Sequence, residues 1–374
     1  MITLTAMNIT DSPPVLFETL STPYGRKIGV ATLNRPMQLN AITLAMCELL
    51  RDRLREWASD DDVVAVMLEG AGDKGFSAGG DVAEVVRQVR GGGPKRFVYG
   101  DSFFEVEYQL DQMIHDYPKP FLAWIHGVCM GGGLGLAAGA SIRVVTENIR
   151  MAMPEIHIGL FPDVGGGYFL NRVPGAAGTV MALTGLVINE ADAIFSGLAD
   201  AFVAAELRGN LVDAMLGLDW SGQPNSDRVA LMRVVASLHR RSKAGLPTSN
   251  LQAYFDALRF IGTQPDVTGI RDALVHAAEE DPWFEAPAKS LCNGSPTAAH
   301  VSFEYLRRCR KLSLAQVLEL DLVLARQFQR HLDFPEGVRA LLIDKDRKPR
   351  WSPGCFDEVS DSLVAAHFAA LPGR

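Results

Sequence analysis

Two glycine-rich stretches decide the fold of this chain: residues 76–81 read FSAGGD, and residues 130–133 read MGGG. Glycine lets a backbone turn sharply and approach a ligand closely, so the N–H groups of Ala78 and Gly132 are predicted to converge on one point. Two paired N–H groups of this kind stabilise a negatively charged oxygen that develops during a reaction. Two carboxylates follow, at Glu155 in a Pro-Glu pair and at Asp163 in the stretch FPDVGGG.

Composition limits the classes of protein to which the chain can belong. Its 374 residues are 48% hydrophobic, enough for a large core and for more than one simple domain. The formal net charge of −8 argues against a nucleic-acid-binding face, which needs clustered Lys and Arg. The five cysteines are an odd number without a CxxC pair, so we predict neither a disulfide framework nor a metal site. A reducing compartment is expected.

The N-terminal residues carry no targeting pattern. Residues 1–14 lack the basic start and apolar stretch of a secretory signal and the arginines of a transit peptide, and are predicted to form a flexible arm. No apolar run reaches the roughly 18 residues of a membrane span, because even residues 121–140 contain His126 and repeated glycines. The expectation is a soluble, cytoplasmic protein with no membrane or nucleic-acid partner.

Alternating patterns divide the chain into three parts after the arm. Residues 15–208 have buried-strand patterns followed by helical ones, including a helix predicted over 40–57, and form an α/β core of β-β-α units. Residues 209–294 contain only amphipathic helical patterns and are predicted to be a helical insert. A Ser-Pro pair then opens a C-terminal helical region, 295–374.

One tempting motif is set aside. Residues 70–75, GAGDKG, satisfy the GxGxxG spacing of a dinucleotide phosphate loop. The β-β-α order before them differs from a Rossmann start, and the loop runs directly into residues 76–81, so nicotinamide binding is not favoured.

Several motifs in order resemble the crotonase (enoyl-CoA hydratase/isomerase) superfamily. They are found within residues 34–41, 76–81, 126–133 and 153–155. Two further stretches, 159–170 and 336–346, closely resemble the hydrolases of that superfamily that act on 3-hydroxyisobutyryl-CoA. The likeness extends from about residue 29 to residue 351 and is weakest over 209–293. It implies a ββα spiral core with a helical C-terminal region.

The resemblance also implies roles for the residues of the site. Ala78 and Gly132 would donate N–H groups to the thioester carbonyl oxygen of an acyl-CoA. Glu107 would contact the substrate, although a solvated helix face explains its position almost as well. No cofactor is implied, since CoA is part of the substrate.

The carboxylates distinguish between possible reactions. Hydratases of the superfamily use a glutamate three residues after the oxyanion-hole glycine, where this chain has Gly135. The second glutamate is retained as Glu155, and Asp163 follows eight residues later, as in the hydroxyisobutyryl-CoA hydrolases. Glu155 either attacks the carbonyl to give a mixed anhydride or acts as a base toward water. Asp163 would sit beside it and hold the carboxylate or the substrate hydroxyl.

These inferences predict hydrolysis of a short branched 3-hydroxyacyl-CoA, with 3-hydroxyisobutyryl-CoA of valine breakdown as the favoured substrate. An enoyl-CoA hydratase or isomerase is the alternative. A third hypothesis is a non-catalytic relative that binds acyl-CoA or RNA, which the intact carboxylates and the acidic charge disfavour. By the same resemblance, a homo-oligomer, either a trimer or a hexamer, is possible.

Three other features have two explanations each. His126 is interpreted as a packed, hydrogen-bonded histidine more readily than as a base, because no Ser or Cys nucleophile motif accompanies it. Cys129 is interpreted as a small buried hydrophobic residue more readily than as a catalytic nucleophile. The basic stretch 345–350 either meets the CoA phosphates or is solvated surface.

Overall fold

The structure is a computed structural model that describes residues 12–371. Most of the predicted flexible arm, residues 1–11, lies outside this range. The last three residues of the arm are held in place, because the side-chain amide of Asn34 donates to Ser12 Oγ and to the carbonyl of Pro13, both at 2.8 Å.

The strands form two sheets. Within residues 12–371 they are β1 (Val15–Ser21), β2 (Lys27–Leu33), β3 (Val63–Gly70), β4 (Gly75–Ser77), β5 (Phe121–Ile125), β6 (Val128–Met130), β7 (Ile142–Val145), β8 (Arg150–Ala152) and β9 (Ala201–Phe202). The larger sheet has the order β1-β2-β3-β5-β7-β9, with β1 antiparallel to β2 and every other pair parallel. The smaller sheet, β4-β6-β8, is parallel. Strand β4 follows β3 along the chain, and β6 follows β5, so the chain passes repeatedly from one sheet to the other.

Both faces of the larger sheet are buried. Along β3, Val66 and Leu68 point into the main core, whereas Ala65 and Met67 point into a second apolar cluster on the opposite face. This alternation has the two-residue period of a strand. It explains why the strands are continuously apolar in sequence, as parallel sheets covered on both faces usually are.

The helices surround these sheets. Within the described chain they are α1 (Leu44–Ser59), α2 (Val82–Gly91), α3 (Val98–His115), α4 (Gly132–Gly139), α5 (Gly166–Phe169), α6 (Ala177–Thr184), α7 (Glu190–Phe195), α8 (Arg208–Gly217), α9 (Pro224–Ser242), α10 (Asn250–Ala253), α11 (Phe255–Gly262), α12 (Val267–Glu280), α13 (Glu285–Asn293), α14 (Pro296–Cys309), α15 (Leu314–Phe328), α16 (Asp333–Val338) and α17 (Asp361–His367). Short 3-10 turns and one π-helical turn, Arg339–Ile343, connect them.

The helix predicted over 40–57 begins four residues later than expected. Thr43 caps it, with its hydroxyl accepting from the Met46 N–H at 3.3 Å. Asn40 cannot belong to the helix because its φ is +54°, in the left-handed region. The apolar periodicity therefore located the helix correctly but missed the turn before it.

The predicted insert packs in two places. Helices α8 and α9 cover the outer face of the larger sheet through apolar side chains such as Leu211 and Val235. Helices α11 and α13 instead contact α6 on the other side of the molecule. In the C-terminal region, α15 packs along α3, and α14 contacts α5 and α6. The C-terminal helices thus reach the part of the core where both predicted carboxylates lie.

No helix within residues 12–371 is long and apolar enough to cross a membrane. All five cysteines are unpaired, with Cys47, Cys129 and Cys309 buried.

Candidate active site

The predicted site residues line one cavity of about 150 Å³. Both glycine-rich loops and both carboxylates contribute to its walls, together with Glu107 from α3. Leu341 and Leu342, from the π-helical turn, complete the wall. The structure therefore brings together residues that are more than 70 positions apart in the chain.

The loop of residues 76–81 leaves one backbone N–H free for a ligand, and that N–H belongs to Gly80. Ala78 N–H donates to the carbonyl of Leu39 at 2.9 Å, and Gly79 N–H donates to Ser77 Oγ at 3.1 Å. Gly80 N–H has no acceptor within residues 12–371. The prediction that Ala78 supplies an oxyanion donor is corrected accordingly, since its N–H is used inside the fold.

The second predicted donor, Gly132, is the first residue of α4, so its N–H has no acceptor within the helix. A Cβ on Gly132 would collide with Oε1 of Glu107 and would lie 3.2 Å from the nitrogen of Gly80. The amides of Gly80 and Gly132 are therefore neighbours. Only glycine fits this position, because the space beside its Cα is already filled.

Asn40 holds the first loop in place, which the sequence did not reveal. Its fully buried side chain donates to the carbonyls of Ala71 at 3.0 Å and Gly75 at 2.9 Å, and accepts from Arg35 N–H at 2.9 Å. Its own carbonyl accepts from Ser77 Oγ at 3.0 Å. The left-handed turn at Asn40 thus ties together the segments on both sides of the donor loop. Its place in the motif of residues 34–41 was the only signal.

Glu155 opens a 3-10 turn, Glu155–Ile158, and is 5% exposed. Its Oε2 has no hydrogen-bond partner among the described residues. A Cβ on Gly131 would lie 2.7 Å from its Oε1, so the carboxylate lies directly against the MGGG loop. Burial raises the pKa of Glu155 well above its ordinary value, and the charge of Asp163 raises it further.

Asp163 is equally buried, but it has a partner. Its Oδ2 accepts a hydrogen bond of 2.6 Å from the hydroxyl of Tyr108, which comes from α3. Burial raises the pKa of Asp163 to about 6, although the Tyr108 hydroxyl and the residue's own backbone amide lower it in part. The two carboxylates therefore lie in one apolar enclosure with different hydrogen-bonding.

The C-terminal helices anchor the loop that follows Asp163. Gly165 N–H donates to Asp321 Oδ2 on α15, and Gly167 N–H donates to the Tyr305 hydroxyl on α14, both at 2.8 Å. Val164 has a φ of +50°, which is strained for a β-branched side chain. No local pattern of residues connects these positions, because they are separated by more than 130 positions.

Glu107 lies inside the site and not on a solvated helix face. It is 2% exposed, and its Oε1 has no hydrogen-bond partner among the described residues. Burial raises the pKa of Glu107 well above its ordinary value, and Asp163 raises it further. The alternative explanation from sequence, a solvent-facing glutamate, is wrong.

No group of three or more His, Cys, Asp and Glu side chains within residues 12–371 is arranged to hold a metal ion. The buried acids are instead clustered with one another, and each raises the cost of ionising its neighbours. Such an arrangement suits proton transfer and a polar reacting group.

A family model described as enoyl-CoA hydratase/isomerase matches residues 28–368, almost the whole chain. The chain belongs to the enoyl-CoA hydratase/isomerase family. The family predicted from the glycine-rich motifs is thus confirmed.

Two curated relatives match this chain with similar sequence identity and coverage. A protein of Xenopus tropicalis named "3-hydroxyisobutyryl-CoA hydrolase, mitochondrial" is 36% identical over 344 residues, which cover 92% of this chain and 86% of the relative. The human protein of the same name is 35% identical over 345 residues, with the same coverage.

Two solved structures of the family superpose closely. A structure titled carnitinyl-CoA dehydratase, from Mycobacterium thermoresistibile, has a TM-score of 0.82 and 34% identity, covering 97% of this chain and 98% of its own. A structure titled enoyl-CoA hydratase, from Rhodobacter sphaeroides, has a TM-score of 0.82 and 33% identity, covering 96% and 98%. These matches confirm the predicted α/β ββα fold with its helical C-terminal region.

The position that carries a glutamate in hydratases of the family is closed here. A Cβ on Gly135 would lie 2.5 Å from the Cβ of Val164 and 3.3 Å from Asp111 Oδ1. The side chain of Val164 occupies the space, so a longer residue at this position needs a different loop after Asp163.

The remaining predicted features lie outside the cavity. His126 Nε2 lies 3.0 Å from the Gly72 carbonyl, in a separate surface cavity, and Cys129 is fully buried. Burial raises the pKa of the Cys129 thiol, as expected of a packed residue. Arg347 and Lys348 of the basic stretch line a cavity of about 650 Å³ that shares His157 and Leu341 with the candidate site.

Proposed function

We propose that this protein hydrolyses 3-hydroxyisobutyryl-CoA to 3-hydroxyisobutyrate and CoA. The observation that carries the proposal is the pair of neighbouring, unused N–H groups of Gly80 and Gly132 above the buried carboxylates Glu155 and Asp163. The names of the curated relatives support the choice of substrate.

The two N–H groups supply the oxyanion hole. The thioester carbonyl oxygen accepts both bonds, which strengthen as negative charge develops on it in the tetrahedral intermediate. Loss of one such donor costs about 2.7–4 kcal/mol of transition-state stabilisation. Gly80 replaces Ala78 in this role because the N–H of Ala78 is bonded to Leu39.

Glu155 performs the attack or activates water for it. As a base, it takes a proton from water while the water oxygen bonds to the carbonyl carbon, and it then returns that proton to the departing sulfur. As a nucleophile, its own oxygen bonds to the carbonyl carbon while the C–S bond breaks and CoA leaves as a thiolate. Water then attacks the mixed anhydride, which releases the acid and the Glu155 carboxylate, and the proton lost by that water protonates the thiolate. The raised pKa of Glu155 makes its ionised carboxylate a stronger base than that of an ordinary glutamate.

Asp163 orients the acyl group. Its Oδ2 is engaged by Tyr108, so Oδ1 is the atom offered to the 3-hydroxyl of the substrate. Around the two carboxylates, the cavity is walled by apolar side chains that suit a short branched chain, namely Phe104, Ile158, Leu160, Leu341 and Leu342. We propose no cofactor apart from the CoA of the substrate.

The adjoining cavity of about 650 Å³ is proposed to receive the rest of CoA. It continues from the site through His157 and Leu341, and it carries Arg347 and Lys348. Neither Arg347 nor Lys348 forms a salt bridge within residues 12–371, so both charged groups are offered to phosphates.

The second candidate function is hydration or isomerisation of an enoyl-CoA. It is favoured by the titles of the two superposed structures, a dehydratase and a hydratase. The closed space at Gly135 counts against it, because the second acid–base glutamate of a hydratase has no room there. The buried acids disfavour a non-catalytic acyl-CoA or RNA-binding protein, because carboxyl groups with strongly shifted pKa values cluster at catalytic sites.

The test compares two reactions of one enzyme preparation: thiol release from 3-hydroxyisobutyryl-CoA and hydration of crotonyl-CoA. The proposal expects rapid thiol release with little hydration. Glu155→Gln and Asp163→Asn should each bind CoA esters but lose thiol release by about 10²-fold or more. The exposed Glu319→Gln is the matched control and should retain full activity. Hydration or double-bond migration without thiol release would establish the second candidate.

Compartment and assembly complete the proposal. We propose a cytoplasmic location, because five unpaired cysteines fit a reducing environment. The relatives are named mitochondrial, and a fluorescent fusion distinguishes the two compartments. A homo-oligomer, trimer or hexamer, is proposed from the family resemblance, and light scattering on the purified protein tests it.

A further inference from the structure

Asp111 is a buried carboxylate that the proposed chemistry does not use. It lies on α3 one turn after Glu107, and it is 2% exposed. Neither of its carboxylate oxygens has a hydrogen-bond partner among the described residues. An unpaired buried carboxylate costs several kcal/mol if ionised, so a protein retains one only at a cost to its stability.

Asp111 lines a second cavity, of about 380 Å³, that opens on the opposite side of the site wall. His115, Tyr168 and Arg172 are among the residues around this cavity. All three are partly or fully exposed, so the cavity is accessible to water and small buffer molecules. Neither glycine-rich donor, Gly80 or Gly132, lines it.

Three segments of the chain contribute residues to both cavities. Helix α3 carries both Glu107, which lines the site cavity, and Asp111, which lines the second cavity. The loop after the 3-10 turn gives Asp163 to the first and Val164 to the second. Helix α4 makes the same division, with Gly132 on the site side and Gly135 on the other.

Because Gly135 has no side chain, Asp111 and Val164 can lie close to the backbone of α4. A Cβ there would lie 3.3 Å from Asp111 Oδ1 and 2.5 Å from Val164 Cβ, so both approach the helix backbone only because the residue is glycine. Residues four apart on a helix are neighbours on one face, which places the carboxyl groups of Glu107 and Asp111 next to each other.

We propose that Asp111 relays protons between Glu107 in the site and water in the second cavity, which serves as an entrance that does not depend on the CoA channel. This inference rests on the proposed hydrolysis. Asp111 acts through Glu107 and does not touch the substrate, so it is a positioning and relay residue.

The reaction produces a proton that must leave. Hydrolysis breaks the C–S bond and forms a C–O bond to water, and one proton of that water ends on the thiol sulfur. The carboxylic acid product ionises at neutral pH, so each turnover releases one further proton. With CoA filling the mouth of the site, the second cavity gives this proton a separate exit.

The acidic groups around Asp111 favour the protonated form of its carboxyl group over the ionised form. Glu107 faces it from α3, Asp163 from the loop, Asp321 from α15 and the thiol of Cys47 from α1. Helix α4 presents only glycine and apolar residues on this side. Burial is the main cause that raises the pKa of Asp111 well above its ordinary value, and the acidic neighbours Glu107, Asp163 and Asp321 raise it further.

The test uses Asp111→Asn, which keeps the shape of the side chain but carries no acidic proton, and should fold because it matches the neutral, protonated form of Asp111 that burial favours. A single turnover can leave its proton on the remaining buried acids, so single-turnover thiol release should stay within about twofold of wild type. Steady-state turnover should fall by about 10²-fold, the low end for lost proton transfer. Formate added as a small proton carrier should restore much of it through the open cavity.

Ala138→Phe provides an independent arm by filling the second cavity from α4, since Ala138 lines that cavity and not the site. It should lower steady-state turnover without changing the affinity for CoA esters. Asp116→Asn, at the exposed end of the same helix, is the matched control and should behave as wild type.

Equal losses of single-turnover and steady-state rates in Asp111→Asn, with no response to formate, would overturn the relay. Unchanged turnover in both Asp111→Asn and Ala138→Phe would do the same. If the wild-type enzyme releases no thiol at all, the proposed function fails instead, so the two failures are distinguishable.

Discussion

The hydroxyl of Tyr108 donates a hydrogen bond of 2.6 Å to Oδ2 of Asp163, joining the long helix α3 to the loop of the second carboxylate. Both residues are buried, so no water competes for the bond. In the proposed function, it leaves Oδ1 of Asp163 for the substrate. It also opposes the effect of burial on the pKa of the carboxyl group.

Removing that bond should move the pH dependence of activity. The Tyr108 hydroxyl lowers the pKa of Asp163, which burial has raised to about 6. Tyr108→Phe should therefore raise this pKa and shift the acidic limb of kcat/KM to higher pH. The loss of activity is expected to be large near pH 6 and small near pH 9. A pH-rate profile measures it, and an unmoved or lowered limb would show that Asp163 does not act as the ionised group.

The buried charge of Asp163 should cost stability at neutral pH. Its pKa is about 6 in the folded protein, against an ordinary value of 3.8. The folded state therefore holds the proton more tightly, and stability falls as the pH rises between these two values. Asp163→Asn keeps an acceptor for Tyr108 and should raise the free energy of unfolding near pH 7 by up to about 3 kcal/mol.

Urea denaturation of Asp163→Asn and wild type at two pH values checks this prediction. The difference should approach zero at about pH 2.5, where Asp163 is protonated in both the folded and the unfolded state. A stabilisation that is equal at the two pH values would mean that the charge of Asp163 is not its cause.

Substitution of Gly132 should destroy the oxyanion hole. In Gly132→Ala the new methyl group collides with Glu107 Oε1 and lies 3.2 Å from the Gly80 nitrogen, so both donor positions shift. We expect kcat to fall by about 10²–10³-fold, as for the loss of one donor. Gly209→Ala is the control, because nothing lies within 4 Å of its new methyl group. Equal kinetics of the two variants would exclude Gly132 from the site.

Asn40 should matter for both stability and activity without touching the substrate. Asn40→Ala leaves the carbonyls of Ala71 and Gly75 and the N–H of Arg35 without their partner in a buried region. The expected cost is about 2–3 kcal/mol of unfolding free energy. Thermal melting against the exposed Asn210→Ala measures it. A loss below about 0.5 kcal/mol, the range of ordinary surface substitutions, would contradict the assigned role.

The sequence alone determined those features that depend on neighbouring residues. The apolar runs specified the strands, the glycine-rich loops specified the sharp turns between the two sheets, and the order of the motifs identified the family. It also singled out Glu155, Asp163 and Gly132, because each belongs to a short motif. Periodicity located α1, but it could not show that Asn40 leaves the helical region.

Only the tertiary structure decided which polar groups are free and which are already bonded. The sequence pointed to Ala78 as a donor, yet the N–H of Ala78 donates to the carbonyl of Leu39 and the N–H of Gly80 is the one left without an acceptor among the described residues. The sequence left a solvated helix face open for Glu107, but α4 packs against α3 and its Gly132 lies against the buried Glu107 carboxylate. The physical reason is the same in both cases: hydrogen-bond satisfaction and desolvation are set by segments far apart in the chain, so no local pattern of residues encodes them.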